Sequence, residues 1–346
     1  MPSFHSLKVV QIKPSARDAV VVSFEIPQQY KEAYSFIPGQ YISLEAEING
    51  TLVRRSYSLC SSPQEDTLQV GVKKVDQGVF SSFINESLKV GQTLKVSTPE
   101  GRFIYSTDNH QESILAVAAG SGITPIFSVL NAFLKANKTD MFTLIYGNKS
   151  PEQTMFFDEL MDLEKKHPEQ LKIHWIFSQT SHENALFGRI TPSVINFVLN
   201  EAKGLPKNAF LCGPEPLIIN TSDQLKRKGM PDEKIQFELF TTSDEQKEIE
   251  NKVSSGQLNI TCDEVTHAVP LAPNKTLLEL ALDARLDVPY SCQGGVCSSC
   301  IAKIKEGKAS MLSNQILTDD EIEEGLVLSC QAVAESSHIL LDYDDV

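Results

Sequence analysis

Four cysteines constrain this chain more than any other feature. Cys292, Cys297 and Cys300 stand with four and then two residues between them, and Cys330 follows thirty residues later. Three thiols this close in sequence must turn toward one small volume if they act together. A loop that wraps such a volume needs small side chains and free backbone torsions. Gln293-Gly294-Gly295-Val296 and Ser298-Ser299 supply both, and their backbone N–H groups can aim inward. Cys330 has to arrive from a separate element.

The spacing matches the plant-type [2Fe–2S] pattern. Zinc sites usually pair two Cys-x2-Cys knuckles, and only Cys297/Cys300 has that spacing. Disulfides need an oxidising compartment. Met1–Val10 has neither the basic start leading into an apolar core nor the small-residue cleavage site of an export signal, so a cytoplasmic protein is expected. The expectation is an iron–sulfur centre on Cys292, Cys297, Cys300 and Cys330. Cys60 and Cys262 read as small core residues.

Charge is unevenly spread. Of a net −14, residues 257–346 carry −10, from fifteen Asp/Glu against five Lys/Arg. This disfavours nucleic acid and anionic membrane surfaces as partners. No apolar run approaches the roughly 18–20 residues of a membrane span. The acidic tail reads as a solvated face or, once it holds a redox centre, as a surface steering toward a basic docking face.

At 346 residues the chain has room for two or three domains of roughly 100–200 residues each. From Leu7 to Val96 short alternating segments are separated by turns such as Pro38-Gly39 and Asn49-Gly50, which predicts a small antiparallel barrel or sandwich. From Ile114, apolar strands alternate with helical stretches, including one expected over Glu152–Lys166, which predicts a doubly wound parallel sheet. Thr191-Pro192 is a helix start. Residues 241–256 are polar and without apolar period, and read as a linker. The expected divisions are 1–107, 108–240 and 257–346.

Three motifs fall at the right places for nucleotides. Arg55-Ser56-Tyr57-Ser58 ends a barrel strand; Arg can neutralise a diphosphate, Tyr can stack on a ring and Ser can bond a ring nitrogen. An amphipathic strand with an exposed Arg is the plainer alternative. Gly78-Val79-Phe80-Ser81-Ser82, before a helical stretch to Leu88, suits an anion. Ala119-Gly120-Ser121-Gly122-Ile123-Thr124-Pro125 is a glycine-rich strand-to-helix turn suited to a pyrophosphate. Cys212-Gly213-Pro214 follows a later strand, where such sheets bind ligands.

Together RSYS, GVFSS, AGSGITP, YGN (Tyr146-Gly147-Asn148), CGPEP and CQGGVCSSC…C resemble the ferredoxin–NADP reductase superfamily. The likeness is to the branch with a C-terminal plant-type ferredoxin domain, which includes reductase subunits of phenylacetyl-CoA epoxidase and 3-ketosteroid 9α-hydroxylase. It implies an FAD-binding β-barrel, an NAD(P)H-binding α/β domain and a β-grasp ferredoxin-like domain. By the resemblance, Arg55 meets the FAD diphosphate, Ser56 belongs to the same motif, Tyr57 lies against the isoalloxazine and Ser58 approaches its reactive nitrogen. Lys73 lies along the ribityl chain or ring edge. Gly78, Val79, Ser81 and Ser82 hold the FAD pyrophosphate; Gly120, Gly122 and Thr124 line that of the nicotinamide nucleotide. Cys212 and Gly213 flank the nicotinamide, and Glu238 and Phe240 cover the flavin. An edge strand with core Phe residues is the plainer reading of Phe237–Phe240. Lys149, Ser150 and Arg189 favour NADPH over NADH, while Gln179, where NADPH users of the family often carry Arg, speaks against it.

A nicotinamide gives two electrons as a hydride and an iron–sulfur cluster takes one, and a flavin converts between them. The hydride step needs no side chain as general acid or base. No second metal constellation that would activate oxygen is evident. The expected function is therefore electron transfer from NAD(P)H through FAD and [2Fe–2S] to a separate oxygenase component. A stand-alone diaphorase (a ferric or flavodoxin reductase) and a non-catalytic redox sensor are the rivals.

Overall fold

The computed structural model describes residues 3–65, 67–106, 112–136, 139–202, 204–240, 253, 255–290, 292–314 and 316–346. The expected linker, 241–256, lies outside the described residues except for Val253, Ser255 and Gly256. The chain divides into two compact units, 2–240 and 241–346.

The first unit opens with six antiparallel strands: β1 (Phe4–Ala16), β2 (Ala19–Glu25), β3 (Tyr41–Ile48), β4 (Thr51–Ser58), β5 (Thr67–Lys73) and β6 (Thr93–Ser97). Their order is β4-β3-β6-β1-β2-β5. Leu59, just past β4, pairs with Val70 of β5, so the two edges meet and the sheet closes as a barrel. Side chains alternate across a strand, and β2 uses both faces. Val22 and Phe24 fill the barrel, while Ala19 and Val21 join the core of the neighbouring sheet. A short turn, α1 (Val79–Ser82), lies across the barrel and continues as a wider π-type turn to Ser87.

The second half alternates strand and helix: β7 (Ile114–Ala119), α2 (Ile123–Ala136), β8 (Phe142–Asn148), α3 (Phe157–Lys166), β9 (Leu171–Phe177), β10 (Ala185–Phe187), α4 (Pro192–Glu201), β11 (Asn208–Gly213), α5 (Glu215–Arg227) and β12 (Ile235–Leu239). All pairings are parallel, in the order β10-β9-β8-β7-β11-β12. The strand order reverses between β7 and β11, and that switch point is where open α/β sheets bind ligands. Helix α2 buries Ile123, Ile126, Val129, Leu130 and Phe133, one apolar stripe at three- and four-residue spacing. Each such side chain contributes about 1.5–3 kcal/mol relative to leaving it exposed. Thr191 caps α4, its hydroxyl accepting from the Val194 N–H.

One expected helix is shorter than its pattern. Residues 152–166 break at Phe156, whose φ of 58° is left-handed, and α3 begins only at Phe157. The break has a tertiary cause: the Phe156 ring stacks on Phe127 at 4.3 Å and its N–H donates to the Ser15 hydroxyl of the barrel.

The second unit contains β13 (Gln257–Cys262), β14 (Val265–Pro270), α6 (Leu277–Asp283), β15 (Ile301–Glu306), β16 (Ala309–Met311), α7 (Asp319–Glu323), β17 (Leu326–Leu328), β18 (Ala332–Ala334) and β19 (His338–Asp342). Five strands form a mixed sheet, β14-β13-β19-β15-β17, and β16 pairs with β18. Thr276 starts α6 with a capping box closed by Glu279. Leu277, Leu278, Leu280 and Ala281 of α6 share a core with Leu258 and Ile260 of β13 and Ile339 and Leu341 of β19. Cys262 belongs to this core, and Cys60 to that of the parallel sheet.

Candidate functional site

Three distant segments of the first unit meet at the switch point. β4 ends at Ser58, and its buried hydroxyl donates to the Glu238 carboxylate at 3.0 Å across 180 residues of sequence. Glu238 pairs in register with Cys212 on the adjacent parallel strand. Burial raises the Glu238 carboxyl to about 8, against a smaller opposing pull from Ser58. The Cys212 thiol is pushed up by burial and by Glu238. Near neutral pH this site therefore presents a protonated acid and a protonated thiol, with no net charge.

The glycine-rich turn stands directly above. A Cβ on Gly122 would lie 2.2 Å from the Cys212 carbonyl oxygen, so only glycine lets the turn come this close to β11. Gly120 adopts φ 56°, and the buried Tyr146 hydroxyl fixes it by donating to its carbonyl at 2.9 Å. The sequence shows Tyr146 only as part of YGN. Thr124 is buried and its hydroxyl donates to the Ser121 carbonyl, so it secures the turn. Gly213 ends β11 beside Ala119.

The other expected residues are spread over the barrel. Arg55 is exposed, with Nη1 donating to the Arg54 carbonyl at 2.7 Å. Its neighbour Arg54 is buried, pairs with Glu45 at 2.8 Å and sits over the Phe4 ring at 4.5 Å. Of two adjacent arginines only Arg55 is turned outward. Ser56 is half-buried, and Tyr57, also half-buried, has its ring 6.0 Å from Phe80. Lys73 Nζ donates to the Gln153 carbonyl at 2.7 Å and pairs with Asp18 at 3.5 Å, tying the barrel to the parallel sheet. Gly78 precedes α1, Val79 is exposed and Ser82 half-buried. The Ser81 hydroxyl accepts from Val75 N–H and donates to the Gly78 carbonyl, which shapes the loop itself. Phe240 packs against the parallel-sheet core, whereas Phe237 stays exposed. Beyond β8 and β9, Lys149 and Gln179 are joined by a backbone hydrogen bond of 2.9 Å.

In the second unit all four cysteines are free thiols, with Cys292 half-buried and Cys297, Cys300 and Cys330 buried. Gln293 adopts φ 56°, and the Gly294 N–H donates to the Cys292 sulfur at 3.4 Å. The Cys297 thiol and these backbone donors lower Cys292 to about 6, against burial. Gln331 Nε2 donates to the Cys330 sulfur at 3.8 Å. Among the described residues no three His, Cys, Asp or Glu side chains gather as a site for one metal ion. Four free thiols at this spacing, with N–H donors on the Cys292 and Cys330 sulfurs, suit the thiolate ligation of a two-iron core.

A barrel joined to a parallel sheet, followed by a tail unit carrying four free cysteines, is the architecture of a nicotinamide-linked flavin and iron–sulfur reductase. Residues 6–105 match the oxidoreductase FAD-binding domain, 116–223 the oxidoreductase NAD-binding domain and 260–335 the 2Fe-2S iron-sulfur cluster binding domain. The chain is 39% identical to one of the subunits of 1,2-phenylacetyl-CoA epoxidase from Escherichia coli K12, over 99% of each chain. It is 31% identical to the ferredoxin reductase component of 3-ketosteroid-9-alpha-monooxygenase of Mycolicibacterium smegmatis, over 98% of this chain and 97% of that one. The structure of phthalate dioxygenase reductase, described as modular for electron transfer from pyridine nucleotides to [2Fe–2S], superposes with a TM-score of 0.64 at 27% identity over 98% of both chains. The protein belongs to this family of oxygenase reductase components within the ferredoxin–NADP reductase superfamily. Among the described residues no helix is long and apolar enough to cross a membrane.

Proposed function

We propose that this chain takes hydride from NADPH and delivers single electrons, through its tail, to the oxygenase component of a phenylacetyl-CoA epoxidase or a related multicomponent oxygenase in the cytoplasm. Similarity to the Escherichia coli epoxidase chain along the full length carries the choice of partner. Lys149 and Arg189, exposed beyond β8 and β10, favour the 2′-phosphate of NADPH. The modules divide at 1–107, 108–240 and 257–346.

When bound, the flavin supplies the conversion between a two-electron hydride and the one-electron chemistry of the cluster. Arg55 neutralises the FAD diphosphate, with Gly78, Val79, Ser81 and Ser82 beside it. Tyr57, Ser56, Lys73 and Phe240 would hold the flavin ring when it is bound. Gly120, Gly122, Thr124 and Gly213 shape the groove for the nicotinamide nucleotide. Ser58 holds Glu238 in register with Cys212, and the two would line the nicotinamide site. Glu238 in its neutral form keeps negative charge away from an arriving hydride. Cys292, Cys297, Cys300 and Cys330 hold the cluster.

The test is reconstitution. Protein purified without oxygen is assayed for flavin, iron and acid-labile sulfide, and then mixed with the epoxidase oxygenase component and either coenzyme. Oxygenase-dependent epoxidation with a higher kcat/KM for NADPH is expected. A higher kcat/KM for NADH overturns the coenzyme assignment. Reduction of ferric chelates or flavodoxin without transfer to any oxygenase overturns the partner, and absence of turnover with every acceptor overturns the reductase.

A further inference from the structure

The loop from Cys292 to Cys300 is tied at both ends to the segment that carries Cys330. At the far end the tie is backbone. The Ser329 N–H donates to the Cys300 carbonyl at 3.0 Å, and Ile301 pairs with Leu328 in the register of β15 and β17. At the near end it is a side chain. Gln331 Nε2 donates to the Gln293 carbonyl at 3.0 Å, across 38 residues of sequence, and to the Cys330 sulfur at 3.8 Å.

Three features hold the Gln331 amide in that place. Its own N–H donates to the Leu328 carbonyl at 2.8 Å and its carbonyl accepts from the Leu312 N–H at 2.9 Å, so the backbone beneath it is fixed from both sides. The stem passes over Gly295, where a Cβ would lie 2.9 Å from Gln331 Cγ and 3.2 Å from the Ser313 carbonyl oxygen. Finally, a carbonyl oxygen and a ligand sulfur both accept, and a side-chain amide has two N–H groups, one for each. The two acceptors therefore dictate which way the amide points.

We infer that Gln331 is a positioning residue of the iron–sulfur centre, its amide clipping the start of the ligand loop to the Cys330 segment and keeping an N–H on the Cys330 sulfur when iron is bound. The inference rests on the cluster assigned above. The clip holds the loop and the fourth-ligand segment together, and so slows the loss of iron. A hydrogen bond to a ligand sulfur favours the more negative, reduced centre, and so raises its potential. Gln331 thereby makes the cluster a better acceptor for electrons from the flavin.

The experiment uses full-length holoprotein and the variant Q331M, which keeps the length of the stem and removes both donors. Iron and sulfide content are measured, and the cluster and flavin couples are titrated with EPR and optical detection. Iron release to excess bathophenanthroline is followed without oxygen. Q331M should hold iron as purified and release it about three- to tenfold faster, the range set by one ordinary hydrogen bond. At a fixed applied potential its ratio of reduced to oxidised cluster should fall by a similar factor, while the flavin midpoint stays in place. A side chain that only filled space would leave the cluster potential unmoved. Q331E, equal in size and without a donor when ionised, carries the release measurement if Q331M does not fold. Release as slow as that of the wild type overturns the clip, and an unmoved midpoint in iron-replete Q331M overturns the bond to sulfur. Wild-type protein without iron or sulfide overturns the cluster assignment instead.

Discussion

The two units build their sites in opposite ways. The tail gathers three of its four candidate ligands from one loop, Cys292 to Cys300, and adds only Cys330 from elsewhere. The switch-point site draws Ser58, Cys212 and Glu238 from three strands; sheet register pairs Cys212 with Glu238, and packing of the barrel on the parallel sheet brings Ser58 to them. A loop-built site reports its chemistry in its spacing and breaks locally when a ligand is removed. A strand-built site depends on packing far from it and answers to backbone shifts.

The sharpest break of this contrast is C297S. It should reduce cluster-dependent cytochrome c reduction to background and leave ferricyanide reduction by the flavin intact. Loss of both activities in protein that still holds FAD would contradict the separation of the two sites. G122A tests the other mode. Its Cβ meets the Cys212 carbonyl, so the turn or β11 must move, at about 1–3 kcal/mol. A lower melting temperature and a raised KM for the coenzyme are expected, with the visible spectrum of the cluster unchanged.

E238Q should have a smaller effect. The folded carboxyl titrates near 8 against an ordinary 4.5, so charging it opposes the fold. Its cost is absent below pH 4.5 and grows as pH rises toward about 8. The melting-temperature advantage of E238Q should grow over the same range. In stopped-flow flavin reduction the wild type should slow as pH passes 8, and E238Q should not. At pH 7 the two should differ by much less than the roughly hundredfold that loss of a general acid costs. A loss of that size would show that Glu238 passes a proton.

The weakest effect concerns the acidic tail, where α7 alone carries Asp319, Asp320, Glu321 and Glu323. If this charge steers the tail toward a basic oxygenase face, electron transfer should slow as salt shortens the screening length to about 10 Å at 0.1 M. A rate indifferent to ionic strength would leave the tail as a solvated surface only.

The barrel strands, the β/α alternation and the iron–sulfur module were all legible, because strand period, apolar runs and cysteine spacing are local properties. Phe156 was not legible. Its left-handed backbone follows from stacking on Phe127 and from Ser15 of the barrel, and both contacts are distant in sequence. Arg54 and Arg55 read alike in the sequence, and only the Glu45 and Phe4 contacts separate the buried one from the exposed one.

The sequence by itself determined the succession of barrel, parallel sheet and cysteine-bearing tail, since strand period, apolar runs and cysteine spacing need no long-range information. The tertiary structure alone decided that Ser58 bonds Glu238 and that Cys212 lies beside them. Those contacts depend on strand register and on desolvation, which arise only when segments far apart in the chain exclude water together.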